Sequence, residues 1–117
     1  MQLVEEVFAI TEHLPHSQQH CLTSQLQRAA VSVPSNIAEG HAKRSTKDYQ
    51  RHLKIAAGSL AELETQLELL VRLRLVDREK VRKGWTTSQA VAKMLTQLIR
   101  SQIVARPQRQ MPSAQLP

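Results

Sequence analysis

Tyr49, Leu53, Ala56, Leu60, Leu63, Leu67 and Leu70 follow one another by steps of four and three without a miss. A spacing that averages 3.5 residues keeps side chains on one side of an α-helix, whereas a strand changes sides at every residue. The middle of this chain is therefore expected to be a long helix. Ala57, Leu69 and Leu73 widen its apolar face beyond the stripe of a lone coiled coil, which favours packing in a bundle. Ser45, with Asp48 three residues on, resembles a capping box and marks the start. From 45 to 73 the helix would be about 43 Å long, at roughly 1.5 Å per residue.

Three further segments read as helices. Residues 1–14 place Leu3, Val4, Val7, Phe8, Ile10 and Leu14 at helical spacing, with Pro15 as the stop or bend. A second helix starts near His16 and Ser17 and carries Leu22, Leu26, Ala29, Val33 and Ile37. Pro34 removes one backbone hydrogen bond inside it. The apolar register continues past that point, so a kinked but continuous helix is expected, with Gly40 as its C-terminal stop. Residues 74–78 should form a turn, with Asp77 capping a fourth helix. The inner face of that helix would carry Val81, Trp85, Ser88, Ala92, Leu95, Leu98 or Ile99, and Ile103, and Gly84 would loosen its first turn. After Arg106 the composition turns to Pro, Gln and Ser, and a disordered tail is expected. The fold class that follows is all-α: an up-and-down antiparallel four-helix bundle over residues 1–105 with a short first helix, then a tail over 106–117.

A chain of 117 residues can bury one core unaided. With aromatics at 3%, leucine, valine, isoleucine and alanine must fill it. The lone Cys21 excludes an internal disulfide and suits a reducing compartment; it reads as a small helix residue. No apolar run approaches the roughly 18 residues of a membrane span, and no basic stretch precedes an apolar one at the start. A cytoplasmic protein is expected.

Polar residues lie on or near the two facing apolar stripes. Arg28, Ser32, Asn36 and Glu39 share one face of the second helix, and Ser59, Glu62 and Gln66 one face of the third. Buried polar groups need partners, so the reading is an interhelical lock in which Glu39 or Glu62 pairs with Arg28. The competing readings are an acid–base pair or ligand pocket and a contact between subunits. Gly58 and Ser59, beside Ala56 and Ala57, would let helices approach closely. Metal chemistry fails on spacing. A di-iron bundle needs Glu-x-x-His on paired helices, yet Glu39 is followed three residues on by Ala42 and Glu62 by Thr65. His16 and His20 lack an evident third ligand. These two, with His13, His41 and His52, read as solvent or interface residues. No serine sits in a Gly-flanked elbow. Neither a cofactor nor a catalytic residue is assigned.

Charge is the most informative functional signal. The formal net charge is +6, with a pI near 10.1. Lys43, Arg44, Lys47, Arg51 and Lys54 gather at the start of the third helix, and Arg72, Arg74, Arg78, Lys80, Arg82 and Lys83 at the opposite end of the bundle. Arg100, Arg106 and Arg109 should return near the first cluster. Such patches suit a solvated face or a polyanion such as RNA or DNA. Tyr49 and Trp85 read as core or interface residues, so binding is expected to follow the phosphate backbone with little sequence preference.

Three stretches support a family resemblance: QLQRAAVSVPSNIAEG at 25–40, IAAGSLAELETQLELL at 55–70 and KMLTQLI at 93–99. Together they resemble the four-helix-bundle family named for the 23S rRNA intervening-sequence protein, across nearly all of residues 3–103. The resemblance implies a ring-like homopentamer. A sister group, the accessory variability determinant of diversity-generating retroelements, implies nucleic acid and a reverse transcriptase as partners. Relatives carry a longer first helix, so part of the third helix's seam is expected to lie uncovered here. The reading is a non-enzymatic oligomeric bundle that binds nucleic acid. The alternatives are an adaptor docking a protein partner and, as a minor one, a metal-binding helical enzyme.

Overall fold

A computed structural model describes residues 1–110, with side chains outside 18–20 and 103–110. The chain is all-helical over these residues, with α1 at Gln2–Thr11, α2 at Ser24–Ala42, α3 at Thr46–Arg72 and α4 at Arg78–Gln110. Each helix packs against its neighbours in sequence, and α1 closes the square against α4. This is the up-and-down four-helix bundle that the apolar periodicities imply.

The leucine seam makes α3 the spine. Leu53, Ala56, Leu60, Leu63, Leu67 and Leu70 are all buried, more than any other helix contributes. Burying each leucine is worth on the order of 2 kcal/mol. Leu3, Val7 and Ile10 of α1, Leu26, Ala29, Ala30 and Val33 of α2, and Val81 and Leu95 of α4 meet this seam. The short α1 does not leave α3 bare, contrary to expectation, because α2 and α4 close over it. Partly covered apolar residues occur on every helix, among them Val4 of α1, Ile37 of α2, Tyr49 and Val71 of α3, and Val91, Ala92, Leu98 and Ile99 of α4. Leu69 and Leu73, expected to widen the buried face of α3, are exposed; Ala57 is half-buried.

The helix ends follow local chemistry. Ser45 stands in extended conformation and its Oγ accepts the Asp48 N–H at 3.3 Å, as the capping signature indicates. At the other end of α3 the Arg74 N–H donates to the Val71 carbonyl at 3.0 Å and the Leu75 N–H to the Leu70 carbonyl at 2.9 Å. That pair of bonds is a Schellman motif, and it places Arg74 at φ 59°, where glycine is favoured. Asp77 precedes α4, but only its backbone carbonyl takes part, accepting the Lys80 N–H at 2.9 Å. Pro15 follows α1, and a 3-10 turn (His16–Gln18) and a π turn (Gln19–Thr23) lead into α2. Regular α-helix thus begins at Ser24, later than the sequence suggests. α2 passes through Pro34 unbroken. α4 continues to Gln110, past the Arg106 expected to begin the tail; residues 111–117 lie outside the described part.

The three glycines play different roles from those anticipated. Gly40 does not terminate α2, which runs on to Ala42, and its φ is not positive. It is buried where α2 crosses α3: an added Cβ would sit 2.7 Å from His52 Cβ and 3.1 Å from Tyr49 Cδ1. Gly84 lies in regular helix and makes room for α1, its absent Cβ falling 2.8 Å from Ile10 Cδ1. Gly58, expected at a close approach, is exposed, and an added Cβ would meet no neighbouring helix within 4 Å. It points away from the seam because it sits between the inward Ala56 and Leu60.

Three substitutions test these roles in urea unfolding. Gly58→Ala should stabilise by about 0.5–1 kcal/mol, because it removes backbone freedom from the unfolded chain without a clash. Gly40→Ala should destabilise by about 1–3 kcal/mol through overpacking against the rigid base of His52. Arg74→Gly should raise the midpoint slightly, by up to about 1 kcal/mol of relieved left-handed strain.

Candidate functional site

Two polar ladders face each other along the α2–α3 contact. Gln25, Ser32 and Glu39 are spaced by seven on α2, and His52, Ser59 and Gln66 by seven on α3. A repeat of seven returns to the same side of a helix in a coiled-coil-like contact. Because the helices run antiparallel, the ladders meet rung for rung. Gln66 Nε2 donates to Gln25 Oε1 at 3.4 Å. The Ser32 and Ser59 hydroxyls share a bond of 2.8 Å, with either as donor. Glu39 Oε1 lies 3.7 Å from His52 Nδ1. The middle rung is short, and the outer two are long.

Asn36 reinforces the upper rungs. Its Nδ2 donates to the Ser32 carbonyl at 2.9 Å and to Ser32 Oγ at 3.0 Å. Its Oδ1 lies 3.1 Å from His52 Nδ1, and the Arg51 Nη2 lies 3.3 Å from His52 Nε2. One tautomer satisfies every partner. With the proton on Nδ1, His52 donates to Asn36 and accepts from Arg51, so the hydrogen bonds run in one direction from Arg51 to Ser32. The His52 side chain is only 8% exposed, whereas Glu39 is 66% exposed. Gly40 packs close beside His52 at this point, where an added Cβ would lie 2.7 Å from His52 Cβ. The chemistry of this chain of bonds is positional: it sets the register of α2 on α3.

Not every residue read as part of the lock belongs to it. Arg28 and Glu62 are exposed and form no ion pair among the described residues. The anticipated pairing of Arg28 with Glu39 or Glu62 is therefore replaced by Glu39 facing His52. Solvent hydrates a guanidinium at little cost, so nothing draws Arg28 inward. His52, read as a solvent or interface residue, is in fact buried. The sequence does carry a signal for this, since His52 stands one heptad before Ser59. Gln66 is buried, and its Oε1 has no partner. A second polar contact, which the sequence does not announce, joins α3 to α4: Glu64 Oε2 accepts from Ser88 Oγ at 3.1 Å and Gln89 Nε2 at 2.7 Å.

The lysine and arginine side chains of the two predicted clusters all lie in solvent. Lys43 and Arg44 occupy the end of α2 and the α2–α3 connection, and Lys47, Arg51 and Lys54 the first turns of α3. In this group only Arg51 is paired, loosely, with Asp48 at 4.0 Å. The far cluster of Arg72, Arg74, Arg78, Lys80, Arg82 and Lys83 is more neutralised. Arg72 bonds Glu68 at 2.9 Å and Arg82 bonds Glu79 at 3.1 Å. Lys80 and Lys83 line a cleft between α4 and α1 together with Glu5 and Glu6. Arg100 is exposed; the side chains of Arg106 and Arg109, like that of His20, lie outside the described residues. Trp85, placed on the inner face of α4 by its spacing, is 37% exposed and lines a groove between α3 and α4. Its neighbour Gly84 is the residue of this turn that faces α1.

Among the described residues no group of three or more His, Cys, Asp or Glu side chains is placed to hold a metal ion. No helix among them is long and apolar enough to cross a membrane. The molecule is thus an all-helical bundle with a polar lock in one helix contact and cations at both ends. The chain belongs to the 23S rRNA-intervening sequence protein family, whose model matches residues 1–97, a family of unknown function. No curated protein matches it.

Substitutions separate the lock from its neighbours. Asn36→Ala strands His52 and should cost about 1–3 kcal/mol in urea unfolding. Arg28→Ala and Glu62→Ala should stay within about 0.5 kcal/mol of the parent.

Proposed function

We propose that this protein is a non-enzymatic, homo-oligomeric bundle that binds nucleic acid by its phosphate backbone. The observation that carries the reading is the group Lys43, Arg44, Lys47 and Lys54, all exposed and none in an ion pair among the described residues. Uncommitted cations gain most from a polyanion, because no internal partner has to be displaced and condensed counterions are released. The second cluster lies about 38 Å away along α3, taking roughly 1.5 Å for each residue between Lys47 and Arg72. The ends of the rod are therefore separate binding surfaces in one subunit. Self-association would multiply them, and a homopentamer, as the family resemblance implies, would set each cluster in a ring.

Apolar side chains left in solvent support association with another protein surface. Val31, Ile55, Leu69, Leu73 and Met94 are each at least 40% exposed. Single exposed residues of this kind are ordinary, but together with half-covered Leu98 and Ile99 they suit contacts between subunits. A dedicated protein partner, a reverse transcriptase for example, is the second reading and would use the same residues.

Oligonucleotide binding across a salt series tests the main reading. Binding should weaken steeply with salt and differ little between sequences. Replacing Lys43, Arg44 and Lys47 with alanine should flatten the slope of log K against log salt by about 0.7 for each phosphate no longer neutralised on a single strand. No binding at about 50 mM salt, or binding indifferent to salt, would overturn the proposal. Light scattering checks the assembly: a mass near five times 13.2 kDa is expected.

A further inference from the structure

The groove that Trp85 lines lies between the C-terminal end of α3 and the N-terminal end of α4, with a volume of about 560 Å³. Its apolar lining comes from Leu67 and Val71 of α3 and Val81 of α4. Leu67 and Val81 are buried, so the base of the groove is anchored in the core. Arg72, Arg78 and Arg82 also line it. Arg72 and Arg82 are held by exposed glutamates one helical turn away, whereas Arg78 has no ion pair among the described residues. Exposed ion pairs of this sort are weak, so an anionic ligand can recruit all three guanidinium groups.

An aromatic ring open to solvent, an apolar lining and guanidinium groups close by form a combination that a charge-only surface does not need. We propose that the groove takes one nucleotide of a single strand, with the base stacked on Trp85 and the phosphate held by Arg78 together with Arg72 or Arg82. Base–aromatic stacking accepts any base, since every base presents a π-face. Guanidinium groups bind phosphate oxygens in a forked geometry that lysine lacks. The volume lies in the range of small-ligand sites and can admit one base with its sugar. Glu68, also in the lining, stays with Arg72 until a phosphate competes for it. The inference rests on the nucleic-acid reading above and refines it: one end of the bundle carries unpaired charge, and the other adds a stacking platform.

Trp85 is the only tryptophan, so its emission reports on the groove directly. The full-length chain is titrated at low salt with a ten-residue oligothymidylate, an abasic oligonucleotide of the same length and an acidic peptide. End-labelled oligonucleotide anisotropy is recorded in parallel. Oligothymidylate should quench Trp85 strongly and the abasic strand far less. Trp85→Leu should weaken oligothymidylate binding roughly five- to hundred-fold while sparing the abasic strand, and Trp85→Phe should restore part of the loss. Arg78→Ala should weaken both strands. Circular dichroism of the variants checks that helicity is kept. If anisotropy shows salt-dependent binding while Trp85 emission stays still and Trp85→Leu binds as the parent does, stacking is overturned and the cationic reading stands. If neither strand changes the anisotropy, both proposals fall. Quenching by the acidic peptide but not by oligothymidylate overturns the nucleotide site in favour of a protein ligand.

Discussion

The contact between α2 and α3 governs the rest of the bundle. Along most of its length it is a leucine and alanine interface, and such surfaces can slide by a heptad with little penalty. The Ser32–Ser59 bond, with Asn36 fixed to Ser32 and reaching His52, removes that freedom. A shift by seven residues would break the Ser32–Ser59 and Asn36–His52 bonds, and any buried polar group then left without a partner costs on the order of 1–3 kcal/mol. Gly40 brings the two backbones close at the same point, so steric fit and hydrogen bonding select one register together. Once α3 is placed, its leucines receive α4, and the short α1 packs on α2 and α4.

The same arrangement divides the molecule by role. Polar groups between the helices, such as Asn36 and Glu64, bond across the helix contacts and serve packing. Charges at the two ends are outward. They differ in state: the cations around the α2–α3 connection are largely free, while Arg72 and Arg82 near the α3–α4 turn are matched by Glu68 and Glu79. The matched end is also where an aromatic ring faces solvent. A bundle of this design has two chemically distinct surfaces on a rigid rod, and ligands that meet one need not meet the other.

Much of this is legible in the residues. The seam of α3, its Ser45 cap and the placing of Ser32 and Asn36 on one face all follow from spacing. His52 reads as a surface residue because histidine is common there, although its distance of one heptad from Ser59 points inward. Trp85 reads as a core residue from its spacing with Val81 and Ser88, yet it is 37% exposed at the edge of the α3–α4 groove. In sequence each glycine suggests a local role. Only the packed neighbours reveal that Gly40 and Gly84 are contact points and that Gly58 faces open solvent.

Helical periodicity, capping residues and net charge are properties of consecutive residues, and they alone determined that this chain forms helices, where the longest begins and that its surface is cationic. Which groups meet across helices depends on relative rotation and offset, quantities that no single segment encodes. Tertiary structure therefore decided that Glu39 faces His52 rather than Arg28, that Glu64 bonds Ser88 and that Trp85 opens to water. A turn of some 100° per residue carries a side chain from core to solvent within one or two positions, and only the neighbouring helices select between them.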